Sequence, residues 1–188
     1  MARWSRAELE SFRDEPVDDL IGPGLRLLFV GINPGLWTAA TNTHFCHPSN
    51  RFYPALREAG VIDWVVDPET GMTPEQRSDL IERGIGITNL VNRATVRASE
   101  LKRAELEEGR RRIEEVVEGH RPRVAAVAGV TAYRAAFGTR AAGLGEQSES
   151  IGSAELWVVP NPSGLNAHET VSTLAEWYRK VAERAGIV

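Results

Sequence analysis

Short apolar runs alternate with longer amphipathic segments along this chain, and that alternation restricts the fold more than any other feature of the sequence. The runs that are apolar enough to be buried strands occupy residues 25–30, 85–91, 124–130 and 156–159. The segments with helical spacing of apolar residues occupy residues 51–59, 74–84, 104–118, 131–137 and the stretch from about 170 onward. Buried strands separated by helices predict a parallel sheet between two helical layers.

The composition is typical of one globular domain. The chain has 188 residues, of which 42% are hydrophobic and 26% are charged, and this excludes a disordered tail, a collagen-like rod and a coiled coil. The longest apolar stretches are far shorter than the ~20 residues of a membrane span, so no membrane segment is expected. We predict a single domain over residues 1–188, with residues 1–24 as an N-terminal extension that packs on or beside it. Within that extension, Ser5 and Glu8 form a capping-box pattern that predicts a short helix.

The cysteine count and the net charge narrow the range of functions. Cys46 is the one cysteine, so a disulfide within the chain is impossible, and neither a structural zinc site nor an iron–sulfur cluster is expected. We therefore expect no metal, no cofactor and a reducing cytoplasm as the compartment. The net charge of −4 argues against a protein that is basic overall and binds nucleic acid through its general charge. The 22 Lys and Arg nevertheless leave room for a local basic face.

Two stretches lack helical or strand periodicity and are predicted to be loops. Residues 33–50 combine prolines with many small polar residues, and such a long loop inside a compact domain is usually functional. Residues 143–152 are rich in glycine and serine. Because ligands of parallel sheets bind at the carboxyl ends of the strands, the polar residues that directly follow the strands are the best candidates for a site.

The first such candidate is Asn33, which follows the strand at residues 25–30. Pro34 restricts the Asn33 backbone to an extended conformation, and Gly31 and Gly35 allow a ligand or another backbone to approach closely. The Asn33 amide can orient a water or a polar ligand, but it cannot take a proton and is therefore no general base. Asn-Pro-Gly is also ordinary turn chemistry, so a plain turn is the alternative interpretation.

The second candidate repeats this arrangement after the last strand. Asn161 precedes Pro162, and the residues that follow place Leu165 at the tip of a loop. An exposed leucine needs no explanation by itself, but beside a rigid polar loop it is also suited to insert into a stack of bases as a wedge. Taken alone, this loop also has a plain turn as its alternative interpretation.

Together the two loops resemble a known family. The first loop continues into Phe45 and the run 47–52, and in this it resembles the mismatch-specific uracil-DNA glycosylases and the related thymine-DNA glycosylases, within the uracil-DNA glycosylase superfamily. The resemblance extends from about residue 25 to residue 178, and its further motifs are residues 86–91, 93, 95, 109–110, 151–153 and 156–165. It implies a three-layer α/β/α sandwich around a short, mainly parallel sheet of four to five strands.

The resemblance also implies roles for individual residues. The catalytic residues that it implies are Asn33, which positions the attacking water, and Asn161, which lies near the leaving base. The base-binding residues that it implies are Ile32, Phe45, His44 and Asn89. The wedge that fills the space left by the flipped base consists of Gly164, Leu165 and Asn166. The phosphate contacts are Arg51, Ser163 and His168.

The implied activity is that of a monofunctional DNA glycosylase of base excision repair. Its partner is double-stranded DNA with a mismatched or damaged base opposite guanine, namely uracil, ethenocytosine, thymine or a deaminated purine, and we expect a monomer. A neutral amide at position 33 stabilises a cationic sugar poorly, so we predict a slow enzyme, faster with aspartate at position 33 and almost inactive with alanine there.

Two other functions remain open from the sequence. One is a catalytically silent protein that binds mismatched DNA without cleaving it, and only a cleavage assay separates it from a glycosylase. The other is a hydrolase of small nucleosides that uses the same sheet edge. Such a hydrolase needs no wedge, so replacing Leu165 by alanine would leave it unaffected.

Overall fold

A five-stranded sheet forms the centre of the molecule. The computed structural model describes residues 4–188. The strands are β1 (Leu27–Gly31), β2 (Ile85–Asn89), β3 (Val124–Ala128), β4 (Gly145–Ile151) and β5 (Ala154–Val159). Their order across the sheet is β2-β1-β3-β5-β4, and every neighbouring pair is parallel except β4 and β5, which are antiparallel. The fold class predicted from the sequence is thereby confirmed.

Helices cover both faces of the sheet. They are α1 (Arg6–Glu10), α2 (Leu36–Thr41), α3 (Phe52–Glu58), α4 (Pro74–Glu82), α5 (Arg103–His120), α6 (Val130–Phe137) and α7 (Val171–Ala185). Side chains alternate along β1, so Phe29 packs with α3 and α7 on one face, whereas Leu28 and Val30 pack with α5 and α6 on the other. Among residues 4–188, no helix is long and apolar enough to cross a membrane.

Reciprocal capping boxes begin α1 and α4, and the one at the start of α1 confirms the pattern predicted from the sequence. In α1, the Ser5 hydroxyl accepts a hydrogen bond from the Glu8 amide while the Glu8 carboxylate accepts one from the Ser5 amide. Thr73 and Gln76 form the same reciprocal pair at the start of α4. The segment that follows α1 is fixed to the sheet edge, because Leu20 and Ile87 exchange two backbone hydrogen bonds of 2.9 and 2.8 Å.

Two predicted loops contain regular structure. Residues 36–41 within the stretch 33–50 form α2, which begins at Gly35 with no side-chain cap and therefore lacks a start signal in the sequence. Residues 145–151 within the stretch 143–152 form β4, an edge strand with mostly exposed polar side chains. Because β4 buries little beyond Ile151, it has no apolar run from which a strand could be predicted.

Candidate active site

The carboxyl ends of β1, β2, β3 and β5 open into a single cleft. Its volume is about 990 Å³, which is large enough for a nucleotide. The residues predicted from the sequence that line this cleft are Ile32, Asn33, Phe45, Asn89, Asn161, Ser163, Leu165, Asn166 and His168. The predicted residues outside the lining are His44, Arg51 and Gly164, and each of them contacts a residue of the lining instead.

Asn33 is held by its amide nitrogen. Nδ2 lies 2.9 Å from the carbonyl oxygen of Arg93, 3.0 Å from that of Pro34 and 2.8 Å from the Thr95 hydroxyl. Carbonyl oxygens only accept hydrogen bonds, so the atom facing them must be the nitrogen. The Thr95 hydroxyl in turn donates to the carbonyl of Arg97 at 2.9 Å. The Asn33 oxygen is therefore the end of the amide that is left to accept a hydrogen bond from something in the cleft.

Asn161 is held by the opposite end of its amide. Its Oδ1 accepts a hydrogen bond of 3.0 Å from the backbone N–H of Ser163, which can only donate. Its backbone carbonyl accepts a further hydrogen bond of 3.0 Å from the Asn166 side chain. The Asn161 nitrogen, which carries two hydrogens, is thus the end left to donate into the cleft.

Asn89 and His44 form a buried pair at the end of β2. The Asn89 Nδ2 lies 3.0 Å from His44 Nδ1, and His44 Nε2 lies 3.0 Å from the carbonyl oxygen of Asp18. Burial lowers the pKa of His44 to about 4, so the ring is neutral at pH 7. His44 does not line the cleft itself but lies behind Asn89.

Phe45 supplies the aromatic surface of the cleft. Its backbone has a φ of +57°, a left-handed conformation that costs a non-glycine residue roughly 1–2 kcal/mol. Two contacts offset that cost. The Phe45 ring stacks on Phe52 with centroids 4.2 Å apart and ring planes at 24°, and the buried Tyr53 hydroxyl donates to the His44 carbonyl at 2.8 Å. One face of the Phe45 ring is thus covered, and the half-exposed ring lines the cleft.

Leu165 stands at the tip of a loop that is fixed to its neighbour. The side chain of Leu165 is 93% exposed, although the loop that carries it is well anchored. Arg51 donates to the backbone carbonyls of Ser163 at 2.5 Å and of Asn166 at 2.8 Å, and also to that of Glu169. Gly164 packs so closely that an added Cβ would lie 2.4 Å from the Ser49 hydroxyl.

The guanidinium of Arg51 is therefore occupied by loop carbonyls. Its two terminal nitrogens donate to the segment 163–169, so the structure gives Arg51 an anchoring contact where the sequence predicted a phosphate contact. Ser163 and His168, the other two predicted phosphate contacts, line the cleft.

The charge in the cleft is low. Among the described residues its lining holds one carboxylate, that of Glu169, and one guanidinium, that of Arg97. The Glu169 carboxylate accepts a hydrogen bond from the Thr173 hydroxyl at 2.7 Å. The first turn of α6 also lines the cleft, and no side chain caps it. The partial positive charge at that helix end favours a negative charge in front of it. The cleft is thus suited to chemistry that develops an anion without a strong base.

Comparison with known proteins identifies the family and the fold. The family model described as "Uracil DNA glycosylase superfamily" matches residues 19–184. The chain belongs to the uracil DNA glycosylase superfamily. Its fold is also similar to the solution NMR structure of a candidate uracil DNA glycosylase from Methanosarcina acetivorans, with a TM-score of 0.61 and 16% identity over 91% of this chain and 98% of that one. Membership of the superfamily supports a uracil DNA glycosylase, a hydrolase that acts on DNA.

For this glycosylase, sequence reasoning missed three contributions to the site. Thr95 fixes the Asn33 amide, and its presence among the family motifs was the available signal. His44 holds Asn89 rather than lining the cleft, and Arg51 holds the loop of Leu165. The partners of His44 and Arg51 are 45 and up to 118 positions away in sequence, so local pattern could not reveal either contact.

Proposed function

We propose that this protein is a monofunctional, mismatch-specific DNA glycosylase. It flips uracil, or a related base opposite guanine, out of the duplex and hydrolyses the bond between that base and deoxyribose. The observation that carries the proposal is the opposite anchoring of two amides at one cleft. Asn33 is left with an acceptor, and Asn161 is left with a donor.

An acceptor and a donor are the two groups that hydrolysis of this bond requires. The Asn33 oxygen accepts a hydrogen bond from water and thereby directs the water's lone pair at C1′ of the sugar. The Asn161 nitrogen donates to the base as negative charge develops on it, a form of electrostatic stabilisation that is commonly the largest contribution to catalysis. The uncapped start of α6 adds to that stabilisation.

The same features explain why the enzyme is expected to be slow. Asn33 carries no charge of its own, and its amide nitrogen binds two carbonyls and a hydroxyl. Asn33 therefore gives the cationic sugar of the transition state no negative charge, and as a neutral amide it cannot take the proton of the water. Departure of the base as an anion drives the reaction, and the proton of the water passes to solvent after attack.

Specificity for mismatches follows from the cost of flipping. Extruding a base costs a few kcal/mol, and least where the base is mispaired. Leu165 is suited to fill the vacated space, because its side chain is almost fully exposed on an anchored loop. Phe45 is suited to stack on the flipped base, an interaction worth about 1–3 kcal/mol per base.

The test is cleavage of labelled duplexes that each contain one G·U, G·T, A·U or G·ethenocytosine pair. Alkaline treatment reveals the abasic product. We expect cleavage of G·U, and slower cleavage of A·U because uracil is better paired there. A folded protein that binds G·U duplex but cleaves none of the four would be a silent binder, which contradicts the proposal.

Replacing Leu165 by alanine separates DNA repair from nucleoside hydrolysis. We expect single-turnover cleavage of the G·U duplex to fall about tenfold, while cleavage of a single-stranded uracil oligonucleotide stays unchanged because no stack has to be filled. Val65→Ala, another exposed apolar position but outside the cleft, is the matched control and should change neither rate. Equal duplex cleavage by Leu165→Ala and the wild type would argue against a wedge.

A further inference from the structure

A second depression, the N-terminal groove, lies beside the active-site cleft. Its volume is about 820 Å³, and its walls come from residues 6–13, which include α1, and from residues 96–100. Val96, Arg97 and Ser99 line both the groove and the cleft. The two depressions are therefore continuous, and a polymer that leaves the cleft past these residues enters the groove.

The two walls of the N-terminal groove are bonded to each other. The backbone N–H of Asp14 donates to the carbonyl of Ala94 at 2.9 Å. The Arg13 guanidinium bridges the carboxylate of Glu10 at 2.5 Å and that of Glu100 at 2.6 Å. Helix α1 is thus held beside the cleft, and both acidic side chains that line the groove are bound to an arginine.

The arginines around the cleft and the groove differ in whether their charge is already paired. Arg51 binds loop carbonyls, and Arg93 binds two carboxylates. Arg6 and Arg97 are exposed, and within residues 4–188 no carboxylate forms an ion pair with either. One exposed arginine is ordinary surface, but two that line one groove supply the forked donors that phosphate binds.

The lining of the groove matches the backbone of DNA, in which anionic phosphates alternate with largely apolar deoxyribose rings. It contains three arginines and two glutamates, a net charge of +1, whereas the whole chain carries −4. It also contains Ala7 and Val96, and Val96 is 54% exposed. The groove therefore combines cationic and apolar contacts, and it opens into the cleft that holds the reacting nucleotide under the proposed function.

We propose that the N-terminal groove binds the backbone of the damaged DNA strand next to the flipped nucleotide, with Arg6 and Arg97 on its phosphates and Val96 against a deoxyribose. A nucleotide in the cleft stays joined to its neighbours by phosphodiester bonds, so its strand must cross the margin of the cleft. Residues 96–99 form part of that margin. The inference rests on the proposed function, and it assigns DNA binding to α1.

The test measures how salt affects the binding of a duplex with uncleavable 2′-fluoro-2′-deoxyuridine opposite guanine, by fluorescence anisotropy from about 50 to about 200 mM salt. Each phosphate contact contributes about 0.9 to the slope of log affinity against log salt. We expect Arg6→Gln and Arg97→Gln each to reduce this slope by about one, and the double variant by about two. Arg97→Lys, which keeps the charge, should retain the slope. Arg57→Gln, at an exposed position outside both linings, is the matched control and should not change it.

Neutral methylphosphonate linkages, introduced one at a time, show where the two arginines act. We expect one or two linkages beside the analogue, on the damaged strand, to weaken wild-type binding several-fold and to have little effect on the double variant. Linkages in the opposite strand should affect both proteins equally. An unchanged slope in Arg6→Gln, or the same pattern of methylphosphonate effects in both proteins, would overturn the inference.

A structural role for the two arginines predicts a different result. Neither Arg6 nor Arg97 loses an ion pair when it is replaced, so we expect every variant to melt at the temperature of the wild type. Loss of affinity without loss of salt dependence would indicate a change in the fold and would overturn the inference. Failure of the wild type to bind the duplex contradicts the proposed function itself, whereas binding and cleavage with unchanged slopes in the variants contradict only the role of the groove.

Discussion

Two loops of this protein begin with the same dipeptide and follow parallel strands of the same sheet, yet they present opposite chemistry. Asn33 follows β1 and its nitrogen is bound to two carbonyls and a hydroxyl, so its oxygen is left over. Asn161 follows β5 and its oxygen is bound to a backbone N–H, so its nitrogen is left over. The side chain is identical, and the neighbours that bind one half of it decide what the other half can do.

The largest expected effect tests the first loop. Asn33→Ala removes the oxygen that we propose orients the water, and the space it leaves gives the water no fixed direction. We expect single-turnover cleavage of a G·U duplex to fall about 10²- to 10³-fold, the usual range for loss of a positioned catalytic group. Duplex binding, measured by fluorescence anisotropy, should change little. Cleavage within threefold of the wild type would exclude Asn33 as the group that positions the water.

Replacing each asparagine by aspartate is expected to affect the two loops differently. Asn161→Asp keeps the oxygen that accepts from Ser163 but replaces the donor with a negative oxygen, so we expect a stable fold and about 10²-fold slower cleavage. Asn33→Asp keeps the useful oxygen but places the second one against the carbonyls of Arg93 and Pro34. We expect it to lose on the order of 2 kcal/mol of stability, since a donor becomes an acceptor among acceptors.

The melting temperature and the cleavage rate are measured for both aspartate variants, because each variant is expected to change a different one of the two quantities. The sequence predicts that Asn33→Asp is a faster enzyme. The structure adds that this variant is less stable, because its second oxygen faces the two carbonyls of Arg93 and Pro34. The sequence gave no sign of these two carbonyls. Equal loss of stability in both variants would contradict the opposite anchoring of the two amides.

A smaller effect tests what fixes the second loop. Arg51→Met keeps an unbranched apolar stem but removes the guanidinium and its bonds to the carbonyls of Ser163, Asn166 and Glu169. We expect a loss of about 1–3 kcal/mol in the free energy of unfolding, and duplex cleavage that falls several-fold more than single-strand cleavage. Arg57→Met, an exposed position on α3, the helix that follows Arg51, is the matched control and should match the wild type. An unchanged melting temperature for Arg51→Met would show that the carbonyl contacts do not anchor the loop.

The last prediction concerns the pH dependence of stability, which is expected to have almost no effect at neutral pH. It depends on His44, because the side chains of Asn33 and Asn161 do not titrate. Burial lowers the pKa of His44 from its ordinary 6.5 to about 4. Below pH 6.5 the unfolded chain binds a proton that folded His44 does not, so stability is complete above that pH and declines as the pH falls toward 4. Integrated over that window the loss is on the order of 3 kcal/mol.

Denaturant melts at intervals between pH 7 and pH 4 measure this dependence. His47, the other histidine whose pKa burial lowers, contributes in the same direction and remains in every variant. The difference between the wild type and His44→Phe therefore isolates His44. A stability difference that does not change with pH would contradict a neutral, buried His44.

The sequence was informative where the structure depends on local chemistry. The buried strands and the capping box at Ser5 follow from neighbouring residues, so the layers of the fold could be predicted. Helix α2 and strand β4 were not predicted, because neither carries such a local signal. Gly35 gives α2 no side-chain cap, and the polar residues of β4 bury only one end of the strand.

The site could be predicted as a set of residues but not as a mechanism. Asn33, Phe45, Asn161 and Leu165 line one cleft, because the carboxyl ends of β1 and β5 meet there, and their roles stay predictions. Which end of each amide is free depends on contacts such as that between Asn33 and Thr95, 62 positions apart. A sequence pattern specifies the amide, whereas only the folded chain specifies its orientation.

The most direct measurement is the structure of the protein bound to a duplex that carries 2′-fluoro-2′-deoxyuridine opposite guanine, an analogue whose sugar resists cleavage. The account predicts a flipped uracil in the cleft, a water bonded to the Asn33 oxygen and facing C1′, and the Asn161 nitrogen within hydrogen-bond distance of a base oxygen. A uracil that stays stacked in the duplex, or a flipped uracil met by the Asn161 oxygen with no water at Asn33, would contradict it.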